Sequence, residues 1–222
     1  MKIGFIGAGF MSRGLAEHAL ANGHEVMLSN SRGLKSLRSA KAVLKCEIGT
    51  TADAAAFGEV IFVAVPLDAI EDLPRDLVAG KILVDLCNHY PERDGPMPDI
   101  ETGVQTTSGY LAVHFEGAQV VKAFNAIMAK DLAADGRPQG DPERRGLPFA
   151  GDDEAAKAIV AGMIDAFGFD PVDVGPLAEG WRFERARPVY CVPMDAKAMQ
   201  EQLAVTSRED MVGESSWHRK DG

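Results

Sequence analysis

The stretch Lys2-Ile3-Gly4-Phe5-Ile6-Gly7-Ala8-Gly9-Phe10-Met11-Ser12 decides the fold. Its first five residues form a short apolar run ending at a glycine, which reads as a buried strand. Residues 11–22 read as the helix that follows, stopped by Gly23. A glycine-rich turn between a strand and a helix has a specific physical use. Gly7 permits the tight turn, and Gly9, with no side chain, lets a pyrophosphate approach the backbone. The helix then aims its free N–H groups and positive dipole end at the phosphates. Ala8, Phe10 and Met11 complete this candidate cofactor-binding turn. Ser12 stands where a third glycine often packs helix on strand, and it is small enough to substitute, with Gly14 sharing the task. The plain alternative is a glycine turn without a ligand.

Outward from this turn the chain alternates. Strands are expected at 25–28, 45–48, 59–65, 81–86, 119–124, 148–150 and 171–174. Helices are expected at 33–44, 53–57, 68–78, 108–115, 128–134 and 153–167, with a terminal helix at 195–203. Such alternation predicts an α/β fold with a Rossmann-like, doubly wound, mostly parallel sheet. The strands are continuous apolar runs, as strands buried on both faces are. Two polar, Pro/Gly-rich loops interrupt the pattern, at 88–107 and 136–147. The expected organisation is one nucleotide-binding Rossmann domain over 1–177. An extension over 178–222 packs on the same domain, with a frayed tail from about 207.

At the end of the second strand a carboxylate often receives the ribose 2′-hydroxyl of a dinucleotide. Here the chain reads Ser29-Asn30-Ser31-Arg32, with Lys35 nearby. A guanidinium grips a phosphate through two parallel N–H bonds, and serine and asparagine add donors, so the pattern points to a 2′-phosphate and to NADPH over NADH. The competing role for Arg32 is capping a surface turn. The nicotinamide belongs across the carboxyl ends of the strands, where Val65, Pro66, Asn88 and Asn125 are candidate walls.

No Ser-Tyr-x-x-x-Lys arrangement, paired His–Asp or metal cluster stands out, and no catalytic acid or base is assigned. Hydride transfer to a ring system needs positioning more than acid–base chemistry. His18 and His114 fall within expected helices, His24 in a turn and His218 in the tail. His89 alone, in the long loop, is a candidate for the active edge. Asp152-Asp153 precedes a helix, so an N-terminal cap is preferred over a catalytic pair.

The chain has 222 residues, 46% of them hydrophobic, and a formal net charge of −10. That balance argues against broad nucleic-acid binding, which needs clustered Lys and Arg. It does not exclude a small basic pocket. No run approaches the roughly 20 apolar residues of a membrane span, and the N-terminus lacks the form of a secretory signal. Cys46, Cys87 and Cys191 are isolated, which suits buried thiols in a reducing cytoplasm. A symmetric homodimer is the default for an oligomer.

These residues together resemble the NADPH-dependent deazaflavin (coenzyme F-420) oxidoreductase family, to which the reductase domains of six-transmembrane metalloreductases look related. The resemblance rests on residues 7–12, Asn30-Ser31-Arg32, Val63-Ala64-Val65-Pro66, Val121-Lys122-Ala123-Phe124-Asn125, Ala150-Gly151-Asp152-Asp153 and Asp173-Val174-Gly175-Pro176-Leu177. It implies NADPH held by the glycine turn and by Ser31-Arg32, with the nicotinamide against Val65, Asn125 and Ala129. It further implies a hydride-transfer face near Asn125 and Ile127. The small-molecule acceptor would be a deazaflavin, a flavin or a similar planar ring. Beyond Leu177 the chain departs from the family. Trp181 and Phe183 could stack on a flat acceptor, with Arg182, Arg185 and Arg187 meeting an anionic one, but a core role for both aromatics is preferred.

The opening stretch is also similar to pyrroline-5-carboxylate reductase. That family continues into an all-helical domain, whereas residues 108–175 here alternate helix and strand. The related hydroxyacid dehydrogenases need a catalytic lysine on a helical second domain, and none is evident. A non-catalytic NADPH-binding redox sensor is the alternative from a different class.

Overall fold

The computed structural model describes residues 1–217. In chain order the elements are β1 (Lys2–Ile6), α1 (Phe10–Ala21), β2 (Glu25–Ser29), α2 (Arg38–Leu44), β3 (Glu47–Gly49), α3 (Thr51–Phe57), β4 (Val60–Val63) and β5 (Ile82–Asp85). There follow α4 (Pro91–Asp94), α5 (Pro98–Glu101), α6 (Thr107–His114), β6 (Gln119–Ala123), α7 (Ala129–Ala134), β7 (Gly146–Gly151), α8 (Glu154–Ala166), β8 (Asp170–Asp173) and α9 (Ala196–Val205). The strands form one sheet in the order β3-β2-β1-β4-β5-β6-β7-β8. Its first six strands are parallel and follow the Rossmann order. β7 runs antiparallel to β6, and β8 runs parallel to β7. Pro171 sits in β8 at the sheet edge, where a missing N–H costs no ladder bond.

Both sheet faces are covered. On one, Phe5 stacks on Phe62 with ring centroids 4.9 Å apart, and Leu15, Val160 and Ile164 come down from α1 and α8. On the other, Ile6, Ile61, Val63 and Leu83 meet Leu111 of α6 and Phe115 just beyond its end. A third cluster joins the C-terminal extension to the sheet: Phe183, Val189, Tyr190, Met199, Leu203 and Trp217 pack on Ala126, Ala150 and Val172.

Several local expectations shift. The helix expected over 68–78 is a single 3-10 turn, Leu67–Ile70, because Pro74 lacks the N–H that continuation requires. The helix expected from Gly33 begins as a 3-10 turn, Leu34–Leu37, before α2. The loop at 88–107 carries α4 and α5, each of one turn and each opened by a proline. Where a frayed tail is expected, residues 208–217 pack back on the domain. Val212 N–H donates to Ala186 O at 2.9 Å, and Trp217 meets the Tyr190 ring edge-on at 5.3 Å. His218 lies outside the described residues. Asp153 caps α8 by accepting from Ala156 N–H at 2.8 Å, and Asp152 accepts from Leu177 N–H at 2.9 Å, so both carboxylates serve the backbone.

The cap gives a direct test of this packing. Asp153→Ala is expected to lower unfolding free energy by about 1 kcal/mol in urea titration. Because α8 lies away from the edge where the strands reverse order, ligand affinity is expected to stay unchanged. No loss of stability would show that the cap carries none.

Candidate functional site

Chain order reverses between β1 and β4, and a cleft of about 880 Å³ opens across the carboxyl ends of the strands at that point. Gly9, Met11, Val65, Pro66, Asn88, Asn125, Ile127 and Ala129 all line it, with Phe10 exposed at its rim. Gly7 and Ala8 lie behind this surface, buried.

The two glycines of the turn have different reasons to be glycine. Gly7 has φ +100°, and a Cβ there would sit 2.2 Å from Ala64 O, so the fold itself demands it. Gly9 has φ −72° and ψ −172°, an extended conformation open to any residue, and a Cβ would meet nothing within 4 Å. Neither backbone nor packing requires its bareness. It stands at the start of α1, whose first turn has no side-chain cap and no acidic residue. The unpaired N–H groups there suit an anion. Ser12 is fully buried and its Oγ has no hydrogen-bond partner. A Cβ on Gly14 would lie 3.2 Å from a Leu132 methyl of α7, so this glycine serves the packing of helix on helix.

The end of β2 is only partly as expected. Ser29 is fully buried and donates its hydroxyl to Phe5 O at 2.7 Å, so its side chain braces β1 and does not offer a phosphate donor. Asn30 organises the following turn: its Oδ1 accepts from Arg32 N–H at 3.1 Å, and its Nδ2 donates to Ser36 Oγ at 3.0 Å. Asn30 and Ser31 line a recess of about 470 Å³ at the carboxyl ends of β2 and β3, with Asp72 and Leu73 opposite. Arg32 and Lys35 stand exposed beside it, and among the described residues neither side chain forms an ion pair.

Below the cleft, β5 and β6 are tied together. Asn88 Nδ2 donates to Asn125 O at 3.0 Å, and Asn125 Nδ2 donates to Asn88 Oδ1 at 3.1 Å and to Phe183 O at 2.9 Å. Both partners of Nδ2 are acceptors, which sets the amide orientation and leaves buried Asn125 Oδ1 without a donor. Phe124 has φ +58°, a strained turn for a bulky residue. Its ring packs toward Phe62 and Phe167 while the next residue, Asn125, borders the cleft. Lys122, wholly buried, donates to Thr107 Oγ1 at 2.8 Å, to Cys87 O at 3.0 Å and to Asp85 Oδ2 at 3.3 Å. Sequence reading missed this network, since an isolated lysine in an apolar strand carries no sign of its partners.

The far end of the cleft was not legible beforehand. The Tyr90 and Tyr190 hydroxyls meet at 2.8 Å, with Trp217 behind Tyr190. The guanidinium groups of Arg93 and Arg185 each lie 4.7 Å from the centre of the Tyr90 ring. Burial pushes the Tyr190 phenol far above its ordinary range, so it stays a protonated donor. His89, by contrast, is held by Glu101 at 3.1 Å and lies 3.5 Å from Asp94, and it does not line the cleft. Trp181 and Phe183 are interior. Arg182, Arg187 and Arg208 gather over the Trp181 ring, and of the three expected arginines only Arg185 reaches the cleft.

The site therefore fits a dinucleotide: a bare glycine at an uncapped helix start, unpaired cations at the end of β2, and an unmatched acceptor at Asn125. Among the described residues no helix is long and apolar enough to cross a membrane.

Residues 2–89 match the family described as NADP oxidoreductase coenzyme F420-dependent. The chain is 35% identical to metalloreductase STEAP3 of Rattus norvegicus over 195 residues, 87% of this chain and 36% of that protein, so it spans about a third of that relative's length. Among solved structures, hypothetical protein SMa0349 from Sinorhizobium meliloti superposes with a TM-score of 0.74 at 32% identity, over 87% of this chain and 94% of that one. A protein assigned as an F420-dependent NADP-reductase, from Arthrobacter sp. FB24, superposes with a TM-score of 0.67 at 27% identity, covering 79% and 85%.

Two expectations follow from the geometry. Gly9→Ala should fold normally and lose dinucleotide affinity, whereas Gly7→Ala should lose stability, as thermal melts and calorimetric titration would read. Equal affinity for Gly9→Ala and the parent would remove the glycine from the site. Burial raises the thiols of Cys46, Cys87 and Cys191, the last to about 12, so all three are protonated at pH 8. A thiol reagent at that pH should label the protein only after denaturation, and rapid labelling of native protein would refute this.

Proposed function

We propose that this chain, whose residues 2–89 match the family of coenzyme F420-dependent NADP oxidoreductases, binds NADPH in its cleft and serves hydride transfer to a planar redox acceptor, a deazaflavin, a flavin or a ring system like them. Gly9 carries the reading. It is bare where nothing inside the protein requires it, at a helix start whose N–H groups lack partners. In this reading the pyrophosphate lies over Gly9, Phe10 and Met11, where the positive end of α1 favours it. Ser31, Arg32 and Lys35 receive the adenosine 2′-phosphate, with Asn30 holding the turn that presents them. Val65, Pro66, Ile127 and Ala129 wall the nicotinamide, and Asn125 Oδ1 accepts from its carboxamide.

NADPH supplies a hydride, and solvent supplies the proton that completes the reduced acceptor. The chain itself contributes orientation and partial exclusion of water, with no side chain assigned as acid or base. Three free, buried cysteines suit a reducing compartment, and the cytoplasm is the proposed location.

The test is a paired titration. Arg32→Ala should weaken NADPH binding by about ten- to a hundredfold, the range of one or two charge-assisted hydrogen bonds, and leave NADH binding unchanged. Equal losses for both nucleotides, or none for either, would place the 2′-phosphate elsewhere.

A further inference from the structure

The recess at the end of β2 and the far end of the cleft treat charge differently. Beside that recess Arg32 and Lys35 are exposed, and among the described residues neither side chain forms an ion pair. At the far end each cation is already engaged. Arg93 places Nε and Nη2 on the two oxygens of Asp94, at 2.5 and 2.9 Å, and the Asp94 side chain is wholly buried. That fork is filled, and an anionic ligand would have to displace a carboxylate with no route to water. Arg185 pairs with Glu214 at 2.8 Å and lies 3.9 Å from Glu92. Lys130, exposed at the mouth, is not free either. Arg93 and Arg185 thus face three carboxylates, Glu92, Asp94 and Glu214. What this end offers a ligand is neutral: a pair of phenol hydroxyls and an aromatic wall.

We propose that the acceptor end recognises an uncharged conjugated carbonyl ring system: one hydroxyl of the Tyr90–Tyr190 pair donates to the other, which donates its own proton to a ring carbonyl, and Trp217 backs the pair. The inference rests on the NADPH reading above and narrows its acceptor. A phenol donor meets a carbonyl oxygen without the desolvation that a buried charge suffers, and pairing it costs no existing ion pair. The C-terminal segment is part of this recognition site, since Glu214 neutralises Arg185 and Trp217 supports Tyr190.

Riboflavin and FMN share the ring and differ by one phosphate, which makes them the probes. Their binding to the protein loaded with NADP+, which cannot turn over, is read by quenching of flavin fluorescence, and NADP+ binding is measured separately by calorimetry. Riboflavin is expected to bind at least as tightly as FMN. Tyr190→Phe and Tyr90→Phe should each weaken riboflavin by about three- to tenfold, the worth of one neutral hydrogen bond, with NADP+ affinity unchanged. Glu214→Gln should free Arg185 and shift preference toward FMN, a change that a merely structural role would not produce. FMN binding more than tenfold tighter than riboflavin, or no binding of either flavin to protein that binds NADP+, would overturn the acceptor inference alone. Failure to bind NADP+ would overturn the NADPH reading and the acceptor inference with it.

Discussion

A single buried ammonium holds the functional edge of this protein together. Lys122 has three N–H donors and no contact with water, and each donor finds an acceptor: the Asp85 carboxylate, the Thr107 hydroxyl and the Cys87 carbonyl. Asp85 is the register partner of Lys122 across β5 and β6, and it also accepts from Ser108 Oγ and Cys87 N–H. Thr107 in turn donates through its N–H and hydroxyl to Glu184 of the C-terminal extension. Taking a charge out of water costs several kcal/mol, so such a group persists only where its surroundings are fully specified. Here the specification spans two strands, α6 and the extension. It sets the relative positions of the strand ends that carry Asn88 and Asn125.

From that base the cleft is built by contrast. The start of α1 has no side-chain cap, and beside the neighbouring recess Arg32 and Lys35 form no ion pair among the described residues. The far end of the cleft matches its cations internally and presents neutral hydroxyls. Strain marks the cleft lining: Phe124 and Cys191 hold positive φ, and Cys191 N–H donates to Ala126 O at 3.1 Å in the cluster that joins the extension to the sheet. These conformations endure because the packing of Phe124 and the burial of Cys191 leave the chain no relaxed alternative.

How much was legible beforehand followed from how local each signal was. The strand, turn and helix at residues 2–21 announce themselves through apolar runs and glycines, and so does most of the alternation that follows. Local signals failed where a local rule was overlooked, as with Pro74 inside an expected helix. They also failed where a side chain's direction mattered: Ser29 sits at the expected position but turns its hydroxyl to Phe5. Nothing in the neighbourhood of Tyr90 indicates that Tyr190, a hundred residues on, will meet it. Nor does the polar run after residue 207 show that Trp217 has a partner ring waiting.

The amino-acid sequence by itself determined the Rossmann order of strands and helices, the glycine turn at the start of α1 and the exchange of an acid for a guanidinium after β2. These depend on hydrophobic periodicity and on backbone freedom, which are properties of residues close in the chain. Only the tertiary structure decided that Lys122 is satisfied by three separate elements, that Ser29 is a brace, and that Tyr90, Tyr190, Arg185 and Glu214 form one neutral wall. Those outcomes depend on which distant groups share a buried space, where an unpaired charge or hydroxyl is costly and its partner must come from elsewhere in the fold.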